Sequence, residues 1–328
     1  MSKGHKPVSG SRGFWPKKRA RRIYPSVGST GKPSGEKIAP MAFAGYKAGM
    51  TQISYTDAKK GSATHGQRII EAATIIDCPP LHVCGIKMYT KDHAGLVNEG
   101  TVWAEKLPKD LGRKLSLPKK PHMNKELAGK KLDKLSEVRI IVCTKPSESG
   151  LSKKKPEVFE IPVSGDVEKQ WAYALEKLGS EITPSDVFSP GEKIDVRAVT
   201  TGKGYQGPVK RFGVKIRSRK NKTKMRHIGT LGPYHPARVL PGAVAVPGQL
   251  GFQTRTEYNK KIMKIDDSGI QPRGGFSSYG GVPKGYVILE GTVPGPKKRL
   301  IILRKATRSH QAAPQPVPLD AISLEPQQ

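Results

Sequence analysis

The chain has 328 residues and carries 58 Lys and Arg against 27 Asp and Glu, a formal net charge of +31. An excess that large calls for a polyanionic partner. No run of about 18 apolar residues is present, the basic stretches lack the apolar face of an interfacial helix, and no apolar core follows the basic N-terminus as in a signal peptide; a nucleic acid is expected, not a membrane. Aromatic residues make up 6 % of the chain. That is low for stacking many unpaired bases, so structured RNA or a duplex gripped through its phosphates fits better.

Residues 1–37 form a basic extension that carries Lys3, Lys6, Arg12, Lys17, Lys18, Arg19, Arg21, Arg22 and Lys32, with Gly, Pro and Ser between them. Phe14 and Trp15 argue that it docks somewhere specific instead of trailing as a solvated tail. A strand over 40–46, a turn over 47–51 and a return strand over 52–55 come next. Two more strands, 72–77 and 83–89, flank the break Cys78-Pro79-Pro80. Residues 101–103 suggest a short strand, 109–120 a surface segment and 124–134 a helix. Strands are clear at 138–144 and 158–163.

The best helix is 166–178, where Val167, Trp171, Ala174, Leu175 and Leu178 share one face. Trp171 is therefore expected in the core. Thr183-Pro184-Ser185-Asp186 reads as an N-cap, Pro at the first helical position and an acid in the first turn. A strand over 194–201 leads into residues 203–261, a basic segment dense in Gly and Pro whose one acid is Glu257. Pro removes backbone donors and Gly raises the entropy of ordering. At about 1–2 kcal/mol per residue, so few apolar side chains cannot order this segment by burial alone, and a polyanion would have to help. Strands return at 262–265, 285–290 and 300–304. Residues 307–328, rich in Pro and Gln, read as a flexible tail.

The economical architecture is mixed β. An antiparallel β-barrel gathers residues 38–71, 187–202 and 262–306; an α/β module, 72–186, is inserted in it; and the basic arm, 203–261, is thrown out from it. Lys and Arg neutralise phosphates and Gly lets backbone approach RNA closely. The expected RNA-binding residues are Arg19, Arg21, Arg22, Lys203, Lys210, Arg211, Lys215, Arg217, Arg219, Lys220, Lys222, Lys224, Arg226, Tyr234, His235, Arg238, Arg255, Lys260 and Lys261.

Catalytic and metal signals are weak. Gly202-x-Gly204-x-x-Gly207 follows a strand, but Pro208 and a Lys/Arg run stand where a dinucleotide fold needs an apolar helix. The Gly28 to Lys32 stretch has the wrong spacing for a phosphate loop. Cys78, Cys84 and Cys143 make no CxxC pair and read as reduced, buried thiols. No paired carboxylates or nucleophile elbow stand out. The expectation is no enzyme, no cofactor and no metal; the alternative is an RNA-modification or assembly enzyme with a basic arm.

Phe188, Asp195, Ala198, Thr200, Gly202-Lys203-Gly204, Gly207 and Arg211 fit every element of a known signature. With Ala42-Phe43-Ala44-Gly45-Tyr46-Lys47-Ala48-Gly49-Met50-Thr51, Gly248-Gln249-Leu250-Gly251-Phe252 and the basic stretch at 296–305, the chain resembles the universal large-subunit ribosomal protein L-three family, archaeal/eukaryotic type. The resemblance implies a translation-factor-like barrel and a structural role in the large subunit, in the cytoplasm. The implied partners are large-subunit ribosomal RNA and neighbouring ribosomal proteins, with no membrane and no homo-oligomer. It further implies early assembly binding and an arm directed toward the peptidyl-transferase centre. The family often has Trp at the tip of that arm; here the triplet is Gly232-Pro233-Tyr234.

Overall fold

The computed structural model describes residues 11–28, 38–58, 61–117, 134–235, 237–240, 242–308 and 316–325. The helix expected at 124–134 lies, but for Lys134, outside them. In chain order the strands are β1 (Ala42–Thr56), β2 (Arg68–Asp77), β3 (Leu81–Asp92), β4 (Gly95–Trp103), β5 (Glu137–Cys143), β6 (Val158–Pro162), β7 (Glu181–Ile182), β8 (Lys193–Val199), β9 (Tyr205–Gln206), β10 (Gly248–Gln249), β11 (Thr254–Asp266), β12 (Tyr286–Glu290), β13 (Leu300–Lys305) and β14 (Leu319–Ile322). The helices are α1 (Val167–Glu176), α2 (Pro184–Val187) and α3 (Pro208–Phe212). The protein is thus mostly β with few helices. It divides into two compact units, Met1–Ile23 with Val199–Arg255, and Tyr24–Ala198 with Thr256–Gln328.

The larger unit holds two sheets. In the first the order is β13-β8-β11-β12-β2-β1-β14, and β1 also pairs with β13. The first half of β1, Ala42 to Tyr46, lies antiparallel to β13, and its second half, Ile53 to Tyr55, to β14. Its other edge follows β2 from Tyr46 to Thr56. Six strands therefore close on themselves, and the register sets the fully buried side chains of Phe43, Val196 and Leu303 on one face of the sheet and those of Ile75, Ile288 and Ile302 on the other. The second sheet runs β4-β3-β5-β6, with β7 on β3. Cys78-Pro79-Pro80 is where the chain leaves one sheet for the other, a place where Pro interrupts no ladder.

Helix α1 seats Trp171 and Ala174 in the core, as its periodicity predicts. Gln170 Oε1 accepts the backbone N–H of Val138 on β5 at 2.9 Å, fixing helix to sheet. At α2 the N-cap is a capping box: the Thr183 N–H donates to Asp186 Oδ2 at 2.8 Å.

Four local expectations are corrected. Residues 72–77 do not open the inserted module: they continue the apolar strand β2, Arg68–Asp77, which pairs with β1 and β12 in the first sheet. Residues 47–51 are no turn. β1 runs straight through them, with a register shift between Lys47 and Gly49. Gly inside a strand marked a bulge there, not a reversal, and Lys47 Nζ is held by the carbonyls of Val293 (2.8 Å) and Gly295 (3.2 Å). Strand β11 starts at Thr254, well before Ile262, because its polar first half pairs through backbone and needs no apolar pattern. Leu319–Ile322, inside the expected flexible tail, is strand β14 on the edge of β1 that β13 leaves free.

Asp77 ends β2 fully buried. Its Oδ2 accepts the Tyr279 hydroxyl at 2.7 Å and the Gly150 N–H at 3.1 Å, while Oδ1 has no partner among the described residues. Burial raises its carboxyl to about 6, against the lowering pull of those two hydrogen bonds. The folded protein therefore holds a proton there that the unfolded chain releases near pH 4. The associated stability is complete below that pH and is lost as pH rises through 6, about 3 kcal/mol in all. Asp77→Asn should be more stable than the parent protein at pH 7.5 in urea unfolding, with the gap shrinking progressively toward pH 4.5. A gap that does not change with pH would contradict this.

Candidate nucleic-acid interface

The smaller unit contains twenty Lys and Arg and no Asp or Glu. It joins two segments far apart in sequence, and each supplies what the other lacks. The central segment has little apolar surface, and the N-terminal one brings Phe14 and Trp15. The Trp15 ring packs on Phe212 with centroids 4.8 Å apart, and Gly242 lies close over the indole, where a Cβ would sit 3.4 Å from the ring. Lys17 Nζ stands 4.3 Å from the centre of the Phe212 ring and donates to the Arg211 carbonyl at 3.1 Å. The Arg255 guanidinium lies 4.7 Å over Phe14. The Ala20 N–H donates to the Phe252 carbonyl at 2.8 Å. The expected docking of the N-terminal aromatics is thus onto the central segment.

Phe212 is presented by α3. Gly207 precedes it, Pro208 opens it with a fixed φ, and Gly213 closes it at φ 70°. From the same helix Arg211 reaches back: Nε donates to the Gln249 carbonyl at 3.0 Å and Nη1 to the Val246 carbonyl at 2.7 Å. That clamp sits beside the ladder of β9 on β10. Lys203 N–H bonds the Leu250 carbonyl and Leu250 N–H the Gly204 carbonyl, both at 2.9 Å. Glycine is required at 251: its φ is 72°, and a Cβ would collide with the Thr201 carbonyl oxygen. The Gly-x-Gly-x-x-Gly stretch therefore builds a two-strand clip and a helix start, not a nucleotide loop.

Cations crowd this unit without carboxylate relief. Burial first, then the charges of Arg211 and Arg255, lower the Lys17 ammonium below the usual range. Burial likewise lowers Arg211 and Arg255. Such a site holds positive charge at a cost that a bound polyanion would offset.

The sequence-predicted residues fall into two groups. Lys203, Lys210, Lys215, Arg219, Lys220, Lys222, Lys224, Arg226, His235, Arg238, Arg21 and Arg22 are exposed, and Tyr234 is 84 % exposed. Lys220, Lys222 and Lys224 lie within Arg219–Lys224, two short 3₁₀ turns separated by a kink at Lys222 (φ 45°), with Ser218 accepting the Lys220 N–H at the start. The Tyr234 and His235 rings meet edge to face at 5.0 Å. The second group has internal work. Besides Arg211, Arg217 donates to the Ile228 carbonyl, Arg255 to the Thr254 carbonyl and Gln253 Oε1, and Arg19 lies over Phe252. Lys260 and Lys261 stand on β11, Lys260 paired with Glu257 at 3.4 Å. Lys17 was named only as part of the extension, and its place at the aromatic cluster could have been suspected from its position two residues after Trp15.

Among the described residues no group of His, Cys, Asp and Glu could hold a metal ion, and no helix is long and apolar enough to cross a membrane. The three cysteines are buried and free.

The family model described as Ribosomal protein L3 matches residues 1–325. The large ribosomal subunit protein uL3 of Methanococcus maripaludis is 44 % identical over 313 residues, covering 94 % of this chain and 93 % of the relative. Those of Methanosphaera stadtmanae and Pyrobaculum calidifontis are 43 % identical over 319 residues and 42 % over 320, each covering 94 % of both chains.

Gly251→Ala should loosen the smaller unit alone. A left-handed backbone strain of about 1–3 kcal/mol, with the clash added, corresponds to roughly tenfold or greater opening. Limited proteolysis should cut between residues 203 and 250 at least that much faster. An unchanged digestion pattern would show that the clip does not hold the unit.

Proposed function

The chain belongs to the ribosomal protein L3 family, and from that membership we propose that it is a non-enzymatic constituent of the large ribosomal subunit that binds large-subunit ribosomal RNA. Neighbouring large-subunit proteins are its further partners, and it works in the ribosome, in the cytoplasm. The observation that carries the RNA-binding reading is the smaller unit, twenty cations strong and free of acids. The exposed Lys and Arg of that unit contact phosphates. Arg211, Arg217 and Arg255 hold the platform together and contribute mainly field. The six closed strands are read as a translation-factor-like barrel and the β3–β6 sheet with α1 as a module inserted in it. Residues 203–261 are read as the arm that enters the RNA core and approaches the peptidyl-transferase centre, with Tyr234 near its tip. Early binding during subunit assembly is what membership of the family implies.

Binding should weaken steeply with salt, with a log–log slope of roughly −0.7 to −0.9 per phosphate neutralised. Reversing Lys220, Lys222 and Lys224 to Glu should flatten it. An unchanged slope in that variant would mean these residues touch no phosphate.

Tyr234 is a different case. Base–aromatic stacking is worth roughly 1–3 kcal/mol, small beside the summed phosphate contacts. Tyr234→Ala should leave assembly and RNA affinity near those of the parent protein and slow aminoacyl-tRNA accommodation, whereas Tyr234→Trp should be tolerated. Purified ribosomes carrying each variant provide the assay; unaltered accommodation in the alanine variant would reduce Tyr234 to a turn residue.

A further inference from the structure

Within the larger unit, an open groove is lined by Arg197, Thr256, Tyr258, Arg304, Thr307 and Arg308. Three guanidinium groups line it, against one carboxylate in contact with them, Asp195. That carboxylate is fully buried and fully used. Its Oδ2 accepts Arg304 Nη2 at 3.1 Å, the Thr307 N–H at 3.3 Å and the Thr307 hydroxyl at 3.2 Å; its Oδ1 accepts the Asn259 N–H at 3.2 Å. It neutralises Arg304. Among the described residues neither Arg197 nor Arg308 forms an ion pair with a carboxylate.

Both of these cations are nonetheless held in place. Arg197 Nη1 donates to the carbonyls of Ser26 at 2.9 Å and Val27 at 2.8 Å. Gly28 follows at φ 77°, and a Cβ there would collide with the Arg197 guanidinium, so a glycine is needed to seat this arginine. Arg197 is half-buried, and burial, with the Arg304 charge behind it, lowers its pKa. Arg308 is exposed, its guanidinium 4.4 Å from the centre of the Tyr258 ring. A solvated surface arginine needs none of these arrangements. Carbonyl dipoles orient a guanidinium without cancelling its charge, and stacking fixes its plane while leaving its N–H edge open. Two oriented, uncompensated forks around one groove suit a phosphodiester, whose oxygens accept paired N–H bonds.

We infer that this groove, formed by the ends of β8, β11 and β13, is a second RNA anchor that takes a phosphodiester group on Arg197 and Arg308, with Tyr258 holding the Arg308 plane. The inference rests on the RNA-binding reading above and adds a contact outside the basic smaller unit. Arg304 stays committed to Asp195 and supplies field to the groove.

The test compares full-length protein, an Arg308→Gln/Tyr258→Ala double variant and the Lys220/Lys222/Lys224→Glu variant, each binding a transcript of the large-subunit ribosomal RNA between about 50 and 200 mM salt. Both side chains in the double variant are exposed, so its melting curve is expected to match the parent protein; if it does not, Arg308→Gln alone is read in its place. The groove variant should lose about 0.7–0.9 from the slope, one phosphate's worth. Its hydroxyl-radical footprint should lose a patch of protected nucleotides different from the patch lost in the lysine variant. A groove variant with the parent slope and footprint overturns this inference and leaves the RNA-binding reading standing. A parent protein whose affinity ignores salt overturns both.

Discussion

The buried Asp195 is the contact on which the closed sheet depends. One carboxylate on β8 is bonded to Arg304 on β13, to the backbone of Asn259 on β11 and to Thr307 just past β13. It ties three neighbouring strands of the ring, β13, β8 and β11. Asp195 is fully buried and the Arg304 side chain is 8 % exposed, so neither charge has water to fall back on. Pairs of this kind add little when compared with an apolar substitute, but removing one partner strands the other at a cost of about 3–5 kcal/mol. The geometry is therefore specified more than it is strengthened. It fixes the register of β8 against β13, Arg304 opposite Asp195, and with it the point where the chain leaves β8 and enters the basic unit.

That basic unit obeys a different constraint. With no carboxylates of its own it cannot relieve its charge through ion pairs, and like charges held close raise its free energy. It relies instead on neutral acceptors and on aromatic faces. Arg211 and Arg217 end on backbone carbonyls, and Lys17, Arg19 and Arg255 lie over Phe212, Phe252 and Phe14. These contacts fold the platform while leaving its net charge intact, which is the property a polyanion ligand needs.

The parts legible in the sequence are those whose signal is local. The periodicity of α1, the cap at Thr183 and the apolar strands β5 and β13 all announce themselves within a few residues, whereas the Cys78-Pro79-Pro80 break shows that a strand ends without showing that the next one joins a different sheet. The Lys47-Ala48-Gly49 bulge was hidden because a glycine in a strand and a glycine in a turn look alike without the partner strand. The first half of β11, Thr-Arg-Thr-Glu-Tyr-Asn-Lys-Lys, carries no apolar alternation, so backbone pairing alone makes it a strand. The basic residues of the interface were visible from charge. Which of them turn inward was not, because Arg211 and Arg255 find their acceptors and rings through tertiary contacts. The union of the N-terminal segment with the central one was marked only by the unattached pair Phe14-Trp15 and by the shared absence of acids.

That union has a consequence for how the protein is made. Residues up to Ile23 leave the synthesising ribosome long before their partners near Phe212 and Phe252 exist, and at about 5–20 residues per second the wait is roughly 10–40 s. β1 waits longer still for β13, the strand that closes its sheet. During translation the chain therefore carries a long-lived, unmatched basic segment and an unclosed strand edge, and it can reach its final form only near the end of synthesis. Any factor that shields the nascent chain has most to protect at its beginning, for a time set by the length of everything encoded between the two halves of the unit.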